Sequence, residues 1–185
     1  MKTTETFFAP AKLNLFLHVI GRRDDGYHLL QSIFTLLDVG DTLQIKVRED
    51  GEINRVNDVD GIRAESDLAI RAAQALKKTA LCHYGADISL TKVTPKGAGL
   101  GGGSSDAATV LLALNRCWKL NFSNEKLREI GLTLGADVPF FLFGQTAFVE
   151  GAGEKLSAIP IPAWWYVVLT PSIQVQPLLF LTIRI

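Results

Sequence analysis

The stretch Pro95-Lys96-Gly97-Ala98-Gly99-Leu100-Gly101-Gly102-Gly103-Ser104-Ser105-Asp106 constrains this chain more than any other, because five of the seven residues from 97 to 103 are glycine. Without a Cβ, glycine tolerates positive φ and lets a ligand reach the backbone, so successive N–H groups can converge on an anion. Residues 107–114, Ala-Ala-Thr-Val-Leu-Leu-Ala-Leu, favour a helix. The positive end of a helix dipole then lies beside the glycines, and the predicted ligand is a phosphate group. Two familiar phosphate loops are excluded. The P-loop ends in Gly-Lys-Ser/Thr, whereas Gly103-Ser104-Ser105 has no lysine. Gly97-x-Gly99-x-x-Gly102 matches the dinucleotide fingerprint and follows the strand-like residues 86–91, but Lys119-Leu120-Asn121 stands where that motif needs an acid about 20 positions on. A turn that only packs a helix on a strand is the bland alternative, and so many glycines destabilise a loop unless something uses the exposed backbone.

At 185 residues, 48% hydrophobic and 21% charged, the chain suits one soluble domain, or one domain and a fragment of another. Nineteen basic residues balance nineteen acidic ones, so no field gathers nucleic acid or an anionic membrane, and neither is an expected partner. Cys82 and Cys117 are far apart, without a CxxC pair or a histidine cluster, which argues for reduced thiols and against a structural metal. The amino terminus has no apolar signal segment, and the longest apolar run, residues 163–169, is too short to span a bilayer. A cytoplasmic protein is expected. Oligomeric state is not legible.

Leu13, Leu15, Leu17 and Val19 alternate with Lys12, Asn14, Phe16 and His18, the pattern of a strand with one face in the core. Lys12 and Asn14 share the other face, which pattern alone leaves open between solvent and a site. The turn at residues 21–26 sets Tyr27 and His28 at its edge, a flat face and a two-sided hydrogen-bonding ring suited to a nucleobase, or to capping a core. Residues 40–48 alternate again, and Asp50-Gly51 signals a hairpin into residues 52–56, so this half is expected to be an antiparallel sheet. Ser66-Asp67 can cap a helix carrying Leu68, Ala72, Ala75 and Leu76 on one stripe. Ser123 caps a shorter helix that Gly135 is placed to stop. Asp137 then stands before the apolar run Val138-Pro139-Phe140-Phe141-Leu142-Phe143, either as a cap or as a functional group. Residues 145–150 and 163–169 read as further strands, divided by the turn at 151–153 and by a proline-containing connector at 159–162.

Pro10-Ala11-Lys12-Leu13-Asn14-Leu15, Arg23-Asp24-Asp25-Gly26-Tyr27-His28, residues 97–108 and Gly135-Ala136-Asp137-Val138-Pro139-Phe140 together resemble the GHMP kinases, in the order and spacing of the 4-diphosphocytidyl-2-C-methyl-D-erythritol kinases within that superfamily. The resemblance runs from about Phe7 to Pro171. It implies an α+β fold. Residues 1–160 would form the GHMP kinase N-terminal, ATP-binding domain, similar to the second domain of ribosomal protein S5. Residues 161–185 would be the incomplete start of a ferredoxin-like C-terminal domain. It implies transfer of the γ-phosphoryl of ATP to the 2-hydroxyl of a cytidine-diphosphate-linked methylerythritol, a step toward isoprenoid precursors, with ATP and Mg²⁺ as cofactors. The relatives homoserine kinase and mevalonate kinase need no nucleobase clamp, and a non-catalytic nucleotide-binding remnant is the alternative outside enzymes.

The same resemblance implies roles. Asp137 accepts or orients the proton of the attacking hydroxyl, and Lys12 is its partner near the transferred phosphoryl. Asn14 places the methylerythritol, Tyr27 and Phe34 stack on cytosine, and His28 bonds its edge. Pro95, Gly97, Gly99, Leu100, Gly101, Gly102, Gly103, Ser104 and Ser105 hold the ATP, with Ser105 beside the Mg²⁺. The chain departs from the family at Asp67, where an asparagine usually contributes to the adenine pocket, since aspartate accepts but does not donate. It departs again beyond Pro171, where the residues after Gln176 match nothing in the family pattern and form an apolar, strand-like tail.

Overall fold

The computed structural model describes residues 3–22 and 28–170. Tyr27, the Arg23-Asp24-Asp25-Gly26 turn and the tail from residue 171 lie outside them.

Two long antiparallel strands, β1 (Glu5–Arg22) and β2 (His28–Arg48), run side by side from Glu5↔Ile45 out to Arg22↔His28. β3 (Ile53–Arg55) follows, then, after a short 3-10 turn at Ala64–Ser66, helix α1 (Leu68–Ala80) and β4 (Gly85–Thr91). Helices α2 (Gly102–Cys117), α3 (Asn124–Leu132) and α4 (Val138–Phe143) lead to the hairpin of β5 (Ala147–Gly151) and β6 (Lys155–Ala158). The sheet runs β3-β4-β2-β5-β6, with β1 on the other edge of β2. β2 is long enough to take β4 along residues 42–48 and β5 along residues 30–34.

Four expectations change. The Asp50-Gly51 turn does not close a hairpin, because β4 occupies the edge of β2 and β3 pairs in parallel with β4 through the α1 crossover. The alternation of residues 13–19 does not bury one face: Leu17 and Val19 are both 47% exposed, while Ala9, Ala11 and Lys12 are buried. Register shifts at Pro10/Lys12, Asn14/Phe16 and Val19/Gly21 break the period of two, so the side chains do not keep to one face over the strand. Residues 163–169 are irregular instead of a strand; the sheet ends at β6, and Trp164 and Trp165 remain exposed. Finally, α2 begins at Gly102, drawing three further members of the motif, Gly103, Ser104 and Ser105, into its first turn.

The helix signals hold more closely. Asp67, not Ser66, caps α1, its carboxylate accepting from the Ala69 N–H at 2.9 Å. Ser123 caps α3 through the Lys126 N–H. α2 packs against α1, α4 and β1, and is buried on nearly every face, Val110, Leu111 and Leu114 being fully enclosed. Leu114→Ala is expected to cost about 2–5 kcal/mol of stability, read from urea unfolding; a loss well below that range would mean the helix is not the centre of the core. Among the described residues no helix is long and apolar enough to cross a membrane.

Candidate functional site

The glycine loop connects β4 to α2 across the end of the sheet, and its geometry follows from its composition. Gly97, Gly99 and Gly101 have φ of 73°, 75° and 72°, a left-handed conformation that side chains other than glycine adopt only with strain. Gly101 is the N-cap of α2, and no side chain caps the helix there. The first-turn N–H groups of α2 therefore have no acceptor within the helix and point toward the loop. A methyl group on Gly101 would lie 2.7 Å from Cζ of Phe141 and 3.0 Å from Cγ of Lys12, so only glycine fits between α4 and β1. The Lys12 N–H donates to the Leu100 carbonyl at 2.9 Å, which ties the strand carrying Lys12 to the loop.

Lys12 is 3% exposed. Its ammonium donates to Asn14 Oδ1 at 2.7 Å, pairs with Asp137 Oδ2 at 3.2 Å and lies 4.1 Å from the centroid of the Phe34 ring. Asp137 precedes α4 without capping it by its side chain, so of the two roles the sequence leaves open, the carboxylate is turned to Lys12. It lines, together with Pro95, Gly97 through Gly103 and Ser104, a cavity of about 330 Å³. The half-open Asp137 carboxylate, Lys92 and the loop backbone thus face one hollow, and the buried Lys12 ammonium is paired to that carboxylate. Such a set can hold an anion, orient a hydroxyl beside it and take up its proton.

The remaining predicted residues are placed differently. Ser105 lies inside the first turn of α2, fully buried, and its Oγ has no hydrogen-bond partner among the described residues. Phe34 is 3% exposed, with its ring edge-on to Phe140 at 5.2 Å and Lys12 over it. It forms the floor under Lys12 and offers no open face to a base. His28 opens β2 opposite Arg22, roughly 20 Å along the strand from Phe34 at the usual rise per residue. Asp67 pairs with Arg55 at 3.0 Å in a bridge where both side chains are 6% exposed, and so uses both carboxylate oxygens on α1 and Arg55.

A second cluster, of which only Asp106 belongs to the glycine motif, lies at the base of the loop, and its Lys92 lines the same cavity. Asp41 of β2 is fully buried; its Oδ1 accepts from the Val93 and Thr94 N–H groups at 2.6 and 2.8 Å, and its Oδ2 accepts from Lys92. Lys92 also donates to Asp106 Oδ2 of α2 at 2.5 Å. Burial acts against the Asp41 carboxylate, but Lys92 and the two backbone donors hold its pKa below the usual carboxylate value. Burial pushes Asp106 up to about 7 against the pull of Lys92, with Asp41 and Asp67 adding to the rise. Burial would lower Lys92, yet the two carboxylates raise it. Asp41 is therefore the firm anion of the cluster and Asp106 the readily protonated one. A signal was available in the sequence: Asp41 has the parity of Leu43 and Ile45, which places a carboxylate on the core face of a strand.

Residues 67–145, from the cap of α1 through the glycine loop, α2, α3 and α4, match the family described as GHMP kinases N terminal domain. Over 167 residues, 90% of the chain, it is 58% identical to the 4-diphosphocytidyl-2-C-methyl-D-erythritol kinase of Burkholderia mallei strain SAVP1, of which it covers 57%. A crystal structure of 4-(cytidine 5'-diphospho)-2C-methyl-D-erythritol kinase superposes with a TM-score of 0.75 at 41% identity, over 85% of this chain and 56% of that one. Homoserine kinase from Cytophaga hutchinsonii shares the fold, with a TM-score of 0.64 at 20% identity over 88% of this chain and 54% of that one. The chain spans a little over half the length of the relatives it matches.

Proposed function

We propose that this chain acts in the ATP-dependent phosphorylation of the 2-hydroxyl of 4-diphosphocytidyl-2-C-methyl-D-erythritol, on the route to isoprenoid precursors. The observation that carries this reading is the Lys12–Asp137 pair at 3.2 Å beside the glycine-loop cavity. Residues 1–160 serve as the ATP-binding domain and residues 161–185 begin a second one. Two free thiols, Cys82 and Cys117, suit a reducing compartment, and the reading places the protein in the cytoplasm.

In this reading the loop amides and the amino terminus of α2 hold the ATP phosphates. Asp137 orients the substrate hydroxyl and accepts its proton as the oxygen bonds to the γ-phosphorus and the bond from phosphorus to the ADP oxygen breaks. Lys12 holds Asp137 in place and sets positive charge beside the moving phosphoryl, and Asn14 steadies the ammonium. Ser105 Oγ, buried and without a partner among the described residues, fits a magnesium ion held mainly by phosphate oxygens. When bound, that ion supplies charge neutralisation between the phosphates. His28, with Tyr27, would meet the cytosine at the far end of an elongated substrate.

The test is ATP consumption by the 185-residue chain with Mg²⁺ and, in turn, the cytidylyl methylerythritol, homoserine and mevalonate. Turnover with the cytidine compound alone is the expected result. Turnover with either small acid would overturn the substrate assignment. Nucleotide binding without turnover on any of the three would reduce the chain to a phosphate-binding module.

A further inference from the structure

At the site β1 and β2 keep one register for a short window. Lys12, Leu13 and Asn14 pair with Leu36, Thr35 and Phe34, and the register shifts on either side, at Pro10/Lys12 and at Asn14/Phe16. At the second shift β1 advances by two residues, from Asn14↔Phe34 to Phe16↔Ile33, while β2 advances by one. Leu15 is therefore an extra residue, and the strand carries a bulge there. The bulge sends side chains two apart in sequence to opposite faces. Asn14 accepts from Lys12, which lies over the Phe34 ring, so both sit on the face of Phe34. Phe16 instead joins a row with Ile33 and Phe148 across three strands, its ring centroid 6.5 Å from that of Phe148.

The hydroxyl of Ser32 is placed at this crossing. Ser32 of β2 is fully buried, and its Oγ donates to the Phe16 carbonyl. A bulge interrupts the ladder of backbone bonds, and a buried carbonyl left without a donor is costly, so a side-chain donor fixes where the interruption falls. At the other end of the window the Lys12 N–H is held by the Leu100 carbonyl. We propose that Ser32 is a positioning residue that locks β1 in the register which turns Asn14, and with it the Lys12 ammonium, toward the group to be phosphorylated. The inference rests on the kinase reading of the site and goes beyond it, because Ser32 is not one of the described residues lining the glycine-loop cavity and so acts through β1. A slip of one residue would turn Asn14 to the other face and present a leucine in its place.

The experiment compares the whole chain with Ser32→Ala, which removes the hydroxyl with little change of volume, and with Ser32→Thr, which keeps it. Four quantities are read: the urea midpoint, the NMR contacts between backbone protons of Asn14 and Phe34 together with hydrogen exchange of amides 13–17, the affinity for Mg·ATP, and kcat with the cytidylyl methylerythritol. Ser32→Ala is expected to weaken the Asn14 to Phe34 contacts, to speed exchange at 13–17 and to lower kcat roughly tenfold or more, a small misplacement of positioning groups being enough. Its affinity for Mg·ATP should be nearly unchanged, since the glycine loop is untouched. Ser32→Thr should restore contacts, exchange and kcat together. A hydroxyl kept only for stability would lower the urea midpoint in Ser32→Ala and leave kcat and the contacts as they are, and that result would overturn the proposal. Ser32→Thr behaving like Ser32→Ala would overturn it too. Absence of turnover in the unsubstituted chain would instead sink the kinase reading, and the register comparison would still decide whether Ser32 holds Asn14 on the face of Phe34.

Discussion

Asp137→Asn is expected to lower phosphoryl transfer by about 10²–10⁴-fold, the usual worth of a positioned general base, with Mg·ATP affinity nearly unchanged. Asparagine keeps the size and planarity of the side chain but cannot take up a proton, and it replaces the ion pair to Lys12 at 3.2 Å with a neutral contact. The substitution is also mild for the fold. Asp137 makes no side-chain cap to α4, and its side chain is 35% exposed, so the urea midpoint should hardly move. A fall in kcat with KM for ATP preserved therefore reports chemistry and not folding. Turnover equal to that of the unsubstituted chain would remove Asp137 from the reaction.

The parts of this site that were legible in the sequence are those written in short-range chemistry. Glycine density marks a backbone that must bend and be approached, and the loop has that shape. An acid before an apolar run is either a cap or a functional group; Asp137 makes no side-chain cap to α4 and faces Lys12. Lys12 was harder to read, because β1 loses its period of two at the Pro10/Lys12 register shift, which no local pattern announces. What the sequence hid was long-range. Asp41 in β2, Lys92 just past the end of β4 and Asp106 in α2 mean nothing together until those three elements are assembled. The β3–β4 pairing was misread for a similar reason: Asp50-Gly51 is a sound hairpin signal locally, but β4 competes for the same edge of β2 and pairs with it along residues 85–91. Phe34 was assigned to a base by resemblance, yet its ring is consumed by Phe140 and Lys12. Residues 163–169 have the composition of a strand yet join no edge of the sheet, and composition does not specify pairing.

The second large effect is expected at Gly101, and a neighbouring glycine supplies its control. Gly99 and Gly101 share nearly the same backbone, φ of 75° and 72°, so alanine at either position carries a comparable left-handed penalty of about 1–2 kcal/mol. Their surroundings differ. A methyl group on Gly99 meets nothing within 4 Å and projects into open space, whereas one on Gly101 meets the Phe141 ring at 2.7 Å and Lys12 Cγ at 3.0 Å. Gly101→Ala must therefore displace α4 or Lys12 in addition to straining the backbone, an overpacking cost of about 1–3 kcal/mol more. The displaced group is the one that holds Asp137, so stability and phosphoryl transfer should fall together. Gly99→Ala should show only the backbone penalty in urea, and any loss of Mg·ATP affinity there reports a methyl group standing where the phosphates bind. If the two variants unfold at the same urea concentration, the contact with Phe141 has yielded without cost, and the register between α4, Lys12 and the loop is set elsewhere. If Gly101→Ala is the less stable by the expected margin, the glycine is required for what it lets approach as much as for how it bends.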